Sequence, residues 1–298
     1  MRTALGRVRA RAVDRPVLLV VPVVAFELVV FAGALVYLLR LSLTRSAVSG
    51  AYAAGTWTLA NYGALLADGY LQGRLLYSLG LGGVVTAVTL VLGFVYAYAA
   101  ARAGGVRRTV LLGAVLVELL LSIVIKVYAW VPLLAPEGTV NAVFVGLGVV
   151  DAPLRLLGSD VGVVVGLVYS MLPYVVLPTY ATLATMDTTT VAAARDLGAS
   201  RLQSVRAVVV PQATPGLLAG GVTAFAWSTV AFAAPTILGS PSQATVANEA
   251  ARFVDITYDW PRAAALSVEA VVAVVLVAGC AVALVRRYGP RGATEGLL

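Results

Sequence analysis

Glu118, Ser122 and Lys126 are spaced four apart in "VLVELLLSIVIKVYAW", a stretch that is otherwise almost wholly apolar. At that spacing they fall along one helical face. A charged side chain in hydrocarbon costs about 2.5–3.5 kcal/mol on insertion scales, so such groups usually face a cavity or a partner. Eight residues of continuous helix would separate Glu118 from Lys126 by about 12 Å. They are therefore not expected to pair, and each is expected to face water or another helix. The competing reading is that Lys126 snorkels towards a span end, and Glu27 and Glu269 are read that way. Tyr128, Trp130, Tyr169, Tyr174 and Trp227 lie in the same class of apolar stretch. With Glu118 they could offer carboxylate and aromatic faces to a cationic solute. They could equally form an interface belt or packing. Lys126 argues against a path that attracts only cations.

A second concentration of chemistry is "AAARDLGASRLQSVRAVVVP", residues 192–211. It places Arg195, Asp196, Arg201 and Arg206 around Gly198, in a chain that is only 12% charged. Absences narrow the field further. With no histidine, histidine triads, HExxH zinc sites and histidine general bases are excluded. Lys126 is the one lysine, and it lacks the glycines and following Ser/Thr of a phosphate-binding P-loop. Any ATP chemistry must come from another chain. Cys280 sits alone in an apolar run, without a partner for a disulfide or a metal, and is read as a buried, inert thiol. No metal and no cofactor is expected.

The elements that must position these residues are membrane spans. The chain has 298 residues, is 60% hydrophobic and has a mean hydropathy of +0.94, far from the composition of soluble domains. A spanning helix needs about 20 mainly apolar residues. Such runs lie at 16–39, 75–101, 109–134, 161–183, 214–237 and 263–285. The expectation is an all-α membrane protein of six transmembrane helices, with a basic segment 1–15, a membrane domain 16–285 and a tail 286–298. A secretory signal is the other reading of the first run, but the apolar stretch continues through "LVYLL", which favours an uncleaved span. The net charge of +7 forms no basic stripe with interleaved aromatics, so nucleic acid is not an expected partner. Arginines crowd the amino end (Arg2, Arg7, Arg9, Arg11, Arg15), the 102–108 loop, the 184–212 loop and the carboxyl end. Fewer lie on the other side: Arg40, Arg45, Arg74, Arg155, Arg252 and Arg262. The positive-inside rule then makes both termini and the 184–212 loop cytoplasmic. Gly162/Gly166 and Gly216/Gly220 give GxxxG spacings that allow close helix approach. Pro132, Pro173, Pro178, Pro215 and Pro235 put kinks or helix starts at membrane depth.

Within the long loop, Asp187 and Thr188–Thr190 are N-cap residues. A helix is predicted from near Thr189, ended or hinged at Gly198. A second short helix is predicted from Ser200 to Pro211. The bland alternative is an amphipathic helix on the lipid surface.

This loop resembles the cytoplasmic loop of ABC-importer permeases, whose pattern is E-A-A-x-x-x-G-A followed by a hydrophobic stretch ending in L-P. Ala193 and Ala194 match its alanines, Gly198 its glycine, Ala199 the alanine after it and Pro211 its final proline. Ala192 stands where Glu is usual, and Val205 where an aromatic is usual. "VYSMLPYVVLPTYATLATMD", "YAW", "LGVVDAPLRLL", "ARDLGAS", "TPGLLAG" and "DWPRAAALS" extend the resemblance over residues 57–270. They resemble the first permease of spermidine/putrescine-type importers. The resemblance implies a type I ABC-importer permease fold in the inner membrane and no enzymatic activity in this chain. It implies two copies of a cytoplasmic ATP-binding subunit, a second homologous permease and an extracytoplasmic substrate-binding protein. The loop would be the coupling helix, with Ala192, Ala193, Ala194, Arg195, Asp196, Gly198, Ala199 and Arg201 at the ATPase contact. Polyamine is the implied solute, with ferric iron, an aminophosphonate or an opine as alternatives. A Glu three residues after Thr189 could complete a capping box, which Ala192 cannot. Two other classes stay open: a self-sufficient secondary transporter or channel, and a membrane-embedded enzyme with an Asp- or Ser-based site. No evident inverted repeat supports the first, and no polar catalytic cluster supports the second.

Overall fold

The computed structural model describes residues 16–47 and 50–288. Residues 1–15, most of the predicted tail and part of the first long loop lie outside them. Six helical stretches among the described residues are long and apolar enough to cross a membrane: Val20–Ser42, Gly69–Arg102, Ile123–Gly146, Asp160–Ala184, Arg201–Thr229 and Trp260–Arg287. Helix α1 (Pro16–Ser42) leads into a two-stranded antiparallel ribbon, β1 (Arg45–Ala47) and β2 (Gly50–Ala53). Helix α2 (Ala60–Ala67) and the long α3 (Gly69–Arg102) follow. Asp68 starts α3 by accepting from the backbone N–H groups of Tyr70 and Leu71 at 3.0 and 3.3 Å, as an N-cap should. The chain continues through α4 (Gly105–Leu120), α5 (Ile123–Leu134), α6 (Thr139–Gly146) and α7 (Asp160–Ala184).

The third predicted span, 109–134, is not one helix. Leu121 and Ser122 are extended, with ψ of 139° and 136°, so the chain steps sideways between α4 and α5. This overturns the expectation that Glu118 and Lys126 stay apart. Lys126 Nζ lies 2.9 Å from Glu118 Oε1, with both side chains almost fully buried. The two-turn separation holds only along a continuous helix, and the break removes it. Serine also favours cap conformations over the helix interior.

The chain then passes through α8 (Thr188–Asp196), α9 (Arg201–Ser204), a π turn (Val205–Val209) and α10 (Val210–Thr229). Next come α11 (Ala233–Leu238), a 3₁₀ turn (Pro241–Gln243), α12 (Val246–Asp255) and α13 (Trp260–Tyr288). The predicted span 214–237 also breaks, because α10 stops at Thr229. Pro235 has no N–H, and in a continuous helix its ring would meet the carbonyl of Ala231. That carbonyl instead accepts the hydroxyl of fully buried Thr245 at 2.7 Å.

The centre is built by α3, α7 and α10. Val85, Val127, Leu167, Met171, Val175 and Ala224 form its buried core. The α7–α10 seam depends on missing side chains. A Cβ at Gly216 would fall 2.5 Å from the carbonyl oxygen of Pro178, and one at Gly220 would fall 2.7 Å from Cα of Val175. A Cβ at Gly93 on α3 would instead meet the Val175 side chain, 2.6 Å from its Cγ1. By contrast, α1 packs mainly on α13 and leaves Glu27 and a long run of apolar residues exposed.

Two smaller expectations are corrected. Cys280 is exposed on α13 rather than buried, because only one side of that helix packs on protein. Glu269 does not snorkel: its Oε1 accepts from Gln72 Nε2 at 2.7 Å. It is the tenth residue of α13, and Gln72, its partner, is the fourth residue of α3.

Breaking one side of a buried ion pair typically costs about 3–5 kcal/mol, whereas replacing both sides with apolar groups is often near neutral. Glu118→Gln and Lys126→Met should each lower the thermal stability of the purified chain, and Glu118→Leu with Lys126→Met should recover most of it; additive losses in the double variant would contradict this. Gly220→Val should cost about 1–3 kcal/mol or more through overpacking, read as lower Tm and yield, while Gly80→Ala, with nothing within 4 Å of the added carbon, should be tolerated.

Candidate functional site

The charged loop folds into a capped elbow. Asp187 opens α8: its Oδ1 accepts the Thr189 backbone N–H at 2.9 Å, and its Oδ2 accepts the Thr189 hydroxyl at 2.8 Å. These two bonds hold the Asp187 carboxyl below the usual carboxylate range. The cap is thus Asp187, not Thr189. The third helical position belongs to Thr190, whose hydroxyl donates to Asp187 O at 2.7 Å. Ala192 therefore does not occupy the capping-box position and is exposed.

The far end of α8 closes as a Schellman turn. The N–H of Ala199 donates to Ala194 O at 3.1 Å and that of Gly198 to Arg195 O at 2.9 Å. Gly198 sits at φ +89°, a left-handed conformation that glycine adopts readily. Ser200 then starts α9 with a reciprocal box: its N–H donates to Gln203 Oε1 at 2.8 Å, and the Gln203 N–H donates to Ser200 Oγ at 3.3 Å.

The second helix was expected to end at Pro211, but it continues to Thr229. The π turn explains how. The Val210 N–H reaches back to Val205 O, so the chain widens just before Pro211 instead of breaking against the proline ring. The second arm of the elbow and the span therefore form one continuous helical rod, Arg201–Thr229.

The inner side of the elbow is anchored. Val191 and Val205 pack on a cluster containing Ala97, Val176, Leu183, Val209 and Ala213. Gln212 Nε2 also donates to Thr190 Oγ1 at 3.3 Å. The outer side is uncovered. Ala192, Ala193, Arg195, Asp196, Gly198 and Arg201 are exposed, and Ala194 and Ala199 are half-buried. Leu197 and Leu202 project at 90% and 74% exposure. Neither leucine was singled out by sequence, where each reads as one apolar residue among many.

The intramembrane residues do not gather into one cluster. Trp130 on α5 meets Tyr169 on α7 edge to face, with centroids 5.7 Å apart. Tyr174 on α7 stacks with Trp227 on α10 at 6.2 Å. Glu118 and Lys126 neutralise each other at the α4–α5 break. Tyr128 points elsewhere and is 58% exposed. A cavity of about 440 Å³ opens beside Trp227, lined also by Ile123, Leu167, Met171, Val230 and Phe232. Its lining is apolar, so no charge or motif in the sequence marked it.

Comparisons with known proteins agree with this architecture. Residues 91–291 match the family described as binding-protein-dependent transport system inner membrane component. The chain is 33% identical over 213 residues to the spermidine/putrescine transport system permease protein PotB of Escherichia coli (strain K12), covering 71% of this chain and 77% of that one. It is 29% identical over 211 residues to PotB of Haemophilus influenzae, covering 71% and 73%. In fold it resembles a chain of a bacterial ABC transporter involved in import of the acidic polysaccharide alginate, with a TM-score of 0.74, 14% identity and coverage of 95% and 99%. The six spans, the fold and the family match agree: this chain belongs to the family of inner-membrane permease components of binding-protein-dependent ABC importers.

Proposed function

We propose that this permease moves a polyamine-class cation across the inner membrane, driven by ATP hydrolysis in separate subunits docked on the elbow. The observation that carries the reading is the elbow itself. It is capped at both ends, anchored beneath, uncovered outside and continuous with a membrane span. A solvated loop needs none of these features, whereas an element that receives force needs all of them. Ala192, Ala193, Ala194, Arg195, Asp196, Gly198, Ala199 and Arg201 form the proposed ATPase contact, joined by Leu197 and Leu202. Ala192 leaves that contact without the usual acid, so Arg195, Asp196 and Arg201 supply its polar part.

The elbow lies on the cytoplasmic side in this reading, with both termini, as the arginine distribution requires. The assembly comprises two copies of the ATP-binding subunit, a second homologous permease and an extracytoplasmic binding protein. The polyamine assignment rests on the relatives named for spermidine/putrescine transport. It fits the aromatic pairs Trp130–Tyr169 and Tyr174–Trp227, whose faces attract cations. With Glu118 neutralised by Lys126, these faces are the principal cation-attracting features of the proposed path.

Any side chain at Gly198 meets backbone strain of ~1–2 kcal/mol at positive φ. In the reconstituted importer, Gly198→Val should reduce binding-protein-stimulated ATP hydrolysis and transport at least tenfold while the chain still inserts; undiminished coupling would refute the contact. In a thermal-shift assay, spermidine or putrescine should stabilise the cognate binding protein, and ferric chelates, aminophosphonates and opines should not. Stabilisation by one of those alone would reassign the solute.

A further inference from the structure

A cleft of about 520 Å³ lies between the elbow and the end of α3. Arg102, Arg195 and Arg201 line it, together with Tyr98, Ser204 and Leu202. No carboxylate lines it. Arg102 is held in place: its Nη1 donates to Tyr98 Oη at 2.9 Å, and its guanidinium sits 5.6 Å from the centroid of the Tyr98 ring. None of the three arginines forms an ion pair among the described residues. The acids of the elbow do not serve them. Asp187 is engaged by Thr189, and Asp196 does not line the cleft.

Three like charges in one concavity repel one another, and an anion among them reverses the sign of that interaction. Guanidinium forks match the oxygens of a phosphate ester. The position indicates where that phosphate comes from. Arg102 is the last residue of α3, directly after the apolar run "VVTAVTLVLGFVYAYAAA". The cleft therefore sits where a spanning helix leaves hydrocarbon, at headgroup depth. Leu202, 74% exposed, adds an apolar side chain beside the charges. A water-soluble anion has no use for it, and a lipid glycerol and acyl chain does. Basic pockets between membrane helices take anionic headgroups on these grounds.

We propose that this cleft binds the phosphate headgroup of an anionic phospholipid, which ties the elbow to the end of α3. Bound lipid bridges Arg102 on one element to Arg195 and Arg201 on the other, and so restrains the elbow relative to α3. The site is independent of the transported solute; it shares Arg195, Arg201 and Leu202 with the proposed ATPase contact, and the phosphate takes the side of them that faces Arg102.

The test is native mass spectrometry of the delipidated, assembled importer titrated with phosphatidylglycerol, phosphatidylcholine or inorganic phosphate. Phosphatidylglycerol should be retained on the permease at concentrations where the other two are not. Arg102→Gln should lower its retention at least fivefold, and Arg102→Lys should keep most of it. Tyr98→Phe, which frees Arg102 without removing charge, should give an intermediate loss and covers the case where Arg102→Gln fails to assemble. Undiminished retention in Arg102→Gln overturns the site, as does equal competition by inorganic phosphate. Cross-linking of the cleft arginines to a carboxylate of the ATPase, with no lipid retained, overturns it in favour of a protein ligand. Loss of ATPase coupling in Gly198→Val leaves this proposal untouched, since Gly198 does not line the cleft.

Discussion

Hydrocarbon offers no hydrogen bonds, so every departure from a straight helix must be matched locally. Three breaks in the fold show groups matched in this way. Where α10 stops before Pro235, Thr245 takes the carbonyl of Ala231. Where the chain turns back after α6, buried Asn141 spans the loop: its Nδ2 donates to the carbonyls of Ala135 and Leu154, and its Oδ1 accepts the Leu154 N–H at 2.8 Å. Where α4 gives way to α5, the two charges that could not stand alone meet each other. The breaks are thus partnered positions that re-aim the chain, and they leave α3, α7 and α10 as the long continuous elements at the centre.

Those helices are held together by absence of side chains as much as by contact. Gly93, Gly216 and Gly220 let α3 and α10 close on Val175 and Pro178 of α7. The α7–α10 seam, packed backbone to backbone at Gly216 and Gly220, has little room to deform, since protein interiors transmit strain rather than absorb it. The rod Arg201–Thr229 joins this seam at one end and the elbow at the other. Displacement of the elbow would then rotate or shift the span as a unit, which is the motion the proposed importer mechanism needs. The π turn at Val205–Val209 is the one irregularity in that rod, and it keeps the helix continuous past Pro211.

The sequence carried the large features because they are compositional. Six apolar runs, sparse charge and the glycine spacings survive any local detail, and the elbow was legible because Asp187, Gly198 and Ser200 have strong conformational preferences. Two misreadings share one cause, the assumption that an apolar run is a single straight helix. That assumption separated Glu118 from Lys126 and carried span five through Val230. No proline or glycine marks Leu121–Ser122, so the break there is a tertiary outcome. The apolar cavity beside Trp227 and the arginine cleft were invisible for a related reason. Their residues are distant in sequence, and each has an ordinary local explanation.

The central claim is that the elbow's second arm and the span move as one rod. It is tested most directly by spin labels at exposed Leu202 and Ala219, in a Cys280→Ser background, with the distance measured by electron resonance in the assembled importer with and without ATP. At 1.5 Å per residue the labels stand about 25 Å apart. The account predicts the same single distance distribution in both nucleotide states while the importer turns over. A second distance appearing with ATP would place a hinge within the π turn and contradict it.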